Sequence, residues 1–225
     1  YICPYLVNYT QPIESVIREL FKIFENKPLA PGEFYETGMR QLSLLGRSGI
    51  AMYALAALDI AFWDASAKNA DLPLCEHLGS TITEVKAYNS GGLWLLTPEQ
   101  LAVEAQELRK EGDFSSLKIR LGRKTLDQDL RAIQAVRGQM SPYDDLLCDF
   151  NQVLSFTEGL RRLHGLDDQG LYWFEEPIPY YEFRNYAELR QNISTPLILG
   201  ENFHGIDHAT LSLELGSGDA IMPDL

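Results

Sequence analysis

The chain has 225 residues, 45% apolar and 23% charged, enough to bury a large core in one domain or one domain with an appendage. Its formal net charge is −13 and its 19 lysines and arginines are scattered, so the basic face that a nucleic acid requires is missing. Cys3, Cys75 and Cys148 are odd in number and far apart, which excludes a disulfide framework or thiolate metal site and fits a reducing compartment.

From about residue 10 to residue 79 the pattern is helical. Ile13, Val16, Ile17, Leu20, Phe21 and Phe24 recur at three and four, the stripe of an amphipathic helix. A second helix follows the Pro28–Pro31 turn, and a third runs from Gly49 to about Lys68. The third is apolar nearly all round and rich in alanine, which suits a helix buried between layers. Its longest apolar run, Ile50 to Trp63, is broken by Asp59 and is too short to span a bilayer. No basic leader or cleavage signal opens the sequence, so the cytoplasm is the expected location and no membrane partner is expected.

Beyond residue 82 strands alternate with helices. Val85–Tyr88 reads as a strand; Thr97-Pro98-Glu99 starts a helix whose face is Leu101, Ala105 and Leu108 and which Gly112 stops. Ser116–Leu121 is a strand, Leu126, Leu130 and Ile133 mark a helix, and Asp145–Phe150 is a strand. Ser155 and Glu158 form a capping box for the next helix. Leu171–Phe174, Leu197–Leu199 and Ala220–Met222 complete six strands, with helices around Glu182–Gln191 and Asp207–Leu215. A doubly wound open sheet and a (β/α)8 barrel both give this rhythm; the lack of a Gly-x-Gly-x-x-Gly after the first strand weakens a dinucleotide-binding version.

The polar residues favour the barrel. Asp149, Glu175, Glu201 and Asp224 end successive strands, at intervals of 26, 26 and 23 residues, so in a barrel they converge on one mouth. Carboxylates brought that close repel one another unless a cation neutralises them. An all-oxygen donor set without His or Cys favours Mg²⁺, with Mn²⁺ as the next choice. Lys118 and Arg120, two apart on one strand, share a face, while Ile119 and Leu121 point into the helix layer. Two cations facing the carboxylates would suit an anionic substrate. The plainer alternatives are acidic loop starts and an exposed cationic edge strand.

The ordered set Lys118-Ile119-Arg120, Asp149-Phe150-Asn151-Gln152, Trp173-Phe174-Glu175-Glu176-Pro177, Gly200-Glu201-Asn202 and Met222-Pro223-Asp224, with Ala56-Ala57-Leu58-Asp59-Ile60-Ala61-Phe62-Trp63-Asp64 upstream, resembles the mandelate racemase subgroup (the mandelate racemase/muconate lactonizing enzyme family) of the enolase superfamily. The resemblance implies an α/β fold, a modified TIM barrel of (β/α)7β type under an N-terminal α+β capping domain. Residues 1–80 would be the C-terminal part of the cap with the cap-to-barrel helices, and 81–225 the first six βα units of an incomplete barrel. It assigns metal ligation to Asp149, Glu175 and Glu201, substrate-carboxylate neutralisation to Lys118, and a place among the acid/base groups to Arg120. Asn151, Glu176 and Asn202 would orient ligands or substrate, and Asp224 would be the acidic half of a His–Asp dyad. It also implies a homo-oligomer.

The implied reaction removes the proton beside a substrate carboxylate, and a divalent ion with Lys118 would stabilise the enediolate. Two residues depart from the pattern. The sequence ends at Leu225, before the strand that should carry the dyad histidine, and His77, His164, His204 and His208 are poor substitutes. Arg120 stands where a lysine is expected, and a permanently protonated arginine is a poor base. That favours dehydration of a sugar acid over racemisation or epimerisation of a 2-hydroxy acid; a binding protein that kept the fold is the non-catalytic alternative. Tyr5, Tyr9, Trp94 and His204 are candidates to line the pocket.

Overall fold

The computed structural model describes residues 6–112 and 114–224; Tyr5 lies outside them. Contacts divide the chain into two compact units, one drawn from Tyr1–Glu84 with His204–Ile206, the other from Val85–Phe203 with Asp207–Asp224.

The first unit is helical: α1 (Thr10–Lys22), α2 (Pro31–Gln41), α3 (Gly49–Asn69) and the short α4 (Leu74–His77). Ile13 and Leu20 of α1, Phe34 of α2 and Met52, Leu55 and Leu58 of α3 form its core, and the rings of Phe24, Phe34 and Phe62 pack edge-on or tilted within it. At 21 residues α3 is longer than its uninterrupted apolar run, so length and composition alone would let it cross a bilayer, which corrects the sequence expectation. Its Met52, Leu55 and Leu58 stripe packs with α1 and α2 as a core helix does. Ile50, Tyr53 and Ile60 are each more than a third exposed within the described structure, so burial is one-sided.

The second unit alternates helix and strand: α5 (Pro98–Gly112), β1 (Ser116–Arg120), α6 (Leu126–Arg137), β2 (Asp145–Asp149), α7 (Phe156–Leu166), β3 (Phe174–Glu175), α8 (Phe183–Gln191), β4 (Leu197–Leu199), α9 (Ile206–Leu215) and β5 (Ala220–Ile221). The five strands form one parallel sheet in chain order. Helix starts follow their caps. Thr97 with Gln100, and Thr125 with Gln128, make reciprocal boxes, while Ser155 Oγ accepts Glu158 N–H. The Glu158 carboxylate does not return to the cap as expected; it is taken by Arg161 and Arg162. Leu101, Ala105 and Leu108 of α5 meet Ile119 and Leu121 in the core between helices and sheet.

Val85–Tyr88 is not a strand. Only Asn89 bridges to Leu117, because Val85 is 84% exposed with no ladder to join and the Asn89 amide is held by the Leu108 carbonyl and Glu111. Among the described residues the sheet therefore has five strands, not six. The third of these begins at Phe174 rather than Leu171, since pairing with β2 runs through Cys148–Phe174 and Asp149–Glu175.

The register places Arg120, Asp149 and Glu175 side by side across β1, β2 and β3. Gly200 leaves β4 at φ 141°, where a Cβ would stand 2.8 Å from the Met222 nitrogen. Gly200→Ala should lower stability by about 1–3 kcal/mol through this strain, read as a lower urea midpoint with an unchanged slope.

Candidate metal centre

Asp149 ends β2 and Glu175 ends β3, and both are buried, 1% and 0% exposed. Glu201 follows the Gly200 turn after β4 and is half-buried. One carboxylate oxygen from each lies within 4.8 Å of the others, a spacing that a single divalent cation can bridge. Lys118, on β1, now supplies the positive charge: its Nζ is 2.9 Å from Glu175 Oε1 and 3.3 Å from Asp149 Oδ2. Arg120 Nη2 stands 3.4 Å from Asp149 Oδ2 and its guanidinium lies under the Trp94 ring, 5.0 Å from the centroid. The period-two geometry of a strand puts both cations on this face.

One lysine does not neutralise the cluster. Burial and the neighbouring Asp149 raise the Glu175 carboxyl to about 7, against the pull of Lys118. Burial and Glu176 raise Glu201 to about 7. Burial alone would lower the Lys118 ammonium, but Glu175 and Asp149 outweigh it and push it up to about 12. The site thus has an unmet demand for positive charge, and its oxygen-only donors suit a hard cation.

The expected supporting residues converge. Asn151 donates its backbone N–H to Asp149 Oδ1 at 2.7 Å and its amide to Glu201 Oε1 at 3.2 Å. Asn202 Nδ2 reaches Glu176 Oε2 at 2.8 Å and Glu201 Oε1 at 3.4 Å. Glu176, fully buried and raised by burial, also accepts Gly200 N–H. Asp224 is exposed, and its charge helps to raise Glu201.

Three residues escaped the sequence reading. Gln152 Nε2 donates to Glu176 at 2.7 Å while its carbonyl takes Tyr180 N–H, and Trp173 Nε1–H donates to Glu175 Oε2 at 3.2 Å. Tyr88 stands beside Lys118, which lies 5.9 Å from its ring centroid. Trp173 was findable, since it precedes Glu175 by two in extended chain and so shares its face.

His77 pairs with Ser66 Oγ at 2.9 Å, His164 is exposed on α7, and His208 packs among Tyr180, Phe183 and Phe203. His204 belongs to the first unit, 6.4 Å from the Tyr53 ring, and Tyr9 is exposed there. Trp94, an expected pocket-lining residue of the second unit, stands beside Arg120 at this centre.

Residues 100–225 match the family described as enolase C-terminal domain-like, and residues 2–79 match the mandelate racemase/muconate lactonizing enzyme N-terminal domain. The L-talarate/galactarate dehydratase of Salmonella typhimurium is 32% identical over 181 residues, 80% of this chain and 45% of its own. An enolase from alpha proteobacterium bal199, crystallised with bound magnesium, superposes with a TM-score of 0.94 at 39% identity, covering 98% of this chain and 61% of its own. An enolase from Bradyrhizobium, complexed with magnesium and mandelic acid, gives 0.91 at 29% identity, covering 97% and 60%. The chain thus spans about half the length of the curated relative and about 60% of these crystallised chains. With both domains matched and the carboxylates brought together, the chain belongs to the mandelate racemase/muconate lactonizing family of the enolase superfamily.

Proposed function

We propose that the protein is a Mg²⁺-dependent enzyme that abstracts the α-proton of a carboxylate substrate and dehydrates a sugar acid. The observation that carries this reading is the convergence of Asp149, Glu175 and Glu201 opposite Lys118 and Arg120. The talarate/galactarate dehydratase likeness and the magnesium in similar crystal structures support it.

Asp149, Glu175 and Glu201 would hold the cation. When bound, it supplies positive charge where the substrate carboxylate gains electron density. Lys118, which bonds Glu175 and Asp149, would offer its ammonium to the substrate carboxylate. At a value of about 12 it stays protonated and acts as a donor, not a base. Asn151, Asn202, Gln152 and Trp173 hold the carboxylates in register, limiting reorganisation as charge develops. Arg120 is a permanent cation, suited to stabilising charge and unsuited to taking a proton from the second face of the α-carbon. That is why we favour dehydration, in which one base can remove the C2 proton and return it to the departing C3 hydroxyl. Since the relatives are much longer than this chain, residues outside it are available to supply that base beside Asp224. Racemisation of a 2-hydroxy acid is the second reading, favoured by the likeness to a structure that binds mandelic acid.

Protons compete with the cation. Between the ordinary value of 4.5 and about 7, Glu175 and Glu201 hold more protons in the folded than in the unfolded chain. Their contribution to stability is therefore present below that window and lost as pH rises through it. Metal-free protein should show this as a falling melting temperature between about pH 5 and about pH 8. A Glu175→Gln/Glu201→Gln double variant should flatten the slope, and Mg²⁺ should reverse it in the unmutated protein.

Full-length protein with Mg²⁺ should convert a polyhydroxy acid into a 2-keto-3-deoxy acid, and EDTA should stop it. Lys118→Met should cut turnover by about 100- to 1,000-fold without weakening Mg²⁺ binding, whereas Asp149→Asn should weaken both. Interconversion of two enantiomers, with solvent deuterium entering from either and no keto acid formed, would assign racemisation instead.

A further inference from the structure

We propose that Arg123 is a positioning residue, held by the buried Asp129–Arg162 pair, that fixes the shelf on which Arg120 and Trp94 stand. Arg123 follows β1 by three residues and its side chain is 11% exposed. Its Nη1 donates to the Arg120 carbonyl at 2.9 Å, and its Nη2 to the carbonyls of Trp94 and Leu96, each at 3.2 Å. One guanidinium thus ties the end of β1 to the segment that carries the ring over Arg120. A lysine ammonium on a flexible stem cannot reproduce that planar fork.

The fork is itself aimed. Gly122 turns the chain at φ 98°, and the Gly122 and Arg123 amides donate to the Asp129 carboxylate, which is fully buried at the start of α6. Arg162 of α7 closes the set: its Nη1 lies 2.5 Å from Asp129 Oδ2 and 3.0 Å from the Arg123 carbonyl, and its other nitrogens bond Glu158. The Asp129 carboxylate is met by two guanidinium groups, Arg162 and Arg123, and Glu158 by Arg162 and the more exposed Arg161. A buried ion pair contributes little net stability beyond what an apolar filling would, because desolvation offsets attraction. What this one supplies is direction, since each N–H must meet its acceptor.

The shelf needs such a hold. Trp94 is 54% exposed, so burial does not fix its ring. Leu93 just before it sits at φ 56°, a strained conformation for a branched side chain. It is pinned by Glu104 Oε2 on its amide at 2.7 Å and by the Arg120 amide on its carbonyl at 2.9 Å. Arg123 supplies the hold on the far side, at Trp94 and Leu96.

The proposal rests on the reading above only in its kinetic consequence, because that reading puts Arg120 at the substrate. The test is ¹⁹F NMR of full-length protein labelled with 5-fluorotryptophan. The Trp94 signal would be assigned as the one that Trp94→Phe removes. Arg123→Lys should shift and broaden the Trp94 signal alone. Mg²⁺ affinity should be retained, while α-proton exchange with the reactive acid falls by about 100-fold from misplacement of Arg120. If Arg123→Lys does not fold, Arg123→Gln, whose amide reaches a single carbonyl, carries the same comparison. An unmoved Trp94 signal, or every tryptophan signal moving together, overturns the proposal. Absence of exchange in the unmutated protein would remove the functional reading while the signals still decide the positioning role.

Discussion

Three carboxylates within 4.8 Å of one another, two of them buried, are the constraint around which the second unit is arranged. Their repulsion opposes the folded state, and it is contained by Lys118, by Arg120 and by amide and indole donors on the oxygens. A parallel sheet brings the charges to the same end of β2, β3 and β4, and that shared end is what makes them a cluster. The apolar layer behind the sheet, from Leu117 and Ile119 to Leu197 and Leu199, holds the strands against that repulsion.

Behind β1 the cost of burying charge is met differently. Asp129 has no metal demand, because Arg162, Arg123 and two backbone amides saturate it. The two sites show the alternatives open to a buried carboxylate. It is either closed by fixed cations and serves geometry, or left short of positive charge and stays receptive to a mobile one.

Much of this was legible because local signals and tertiary placement agreed. The α5 face of Leu101, Ala105 and Leu108 is buried as its spacing requires, and Lys118 and Arg120 separate from Ile119 by simple alternation. The acids could be found because each follows an apolar strand at a regular interval. What misled was strand pairing. Val85–Tyr88 has strand composition, but a strand exists only where a neighbour accepts its hydrogen bonds. The start of β3 was misplaced because strands buried on both faces show no alternation to fix their ends. Glu158 had the spacing of a capping-box partner, yet guanidinium groups offered its carboxylate the stronger bonds. The Asp129–Arg162 pair joins residues 33 apart in sequence, and no short-range pattern announces it.

Asn151, Gln152 and Glu176 take φ values of 42°, 63° and 37° in the turns that follow β2 and β3. None is a glycine, the residue that would relieve the backbone there at least cost. The side chains are nevertheless the ones whose amides and carboxylate knit the centre together. Sequences drifting towards greater robustness would replace them with glycine, and sequences held to this chemistry would not. At these three positions thermodynamic stability and the site pull in opposite directions, so a variant selected for heat resistance alone would be expected to erode the centre from its turns rather than from its ligands.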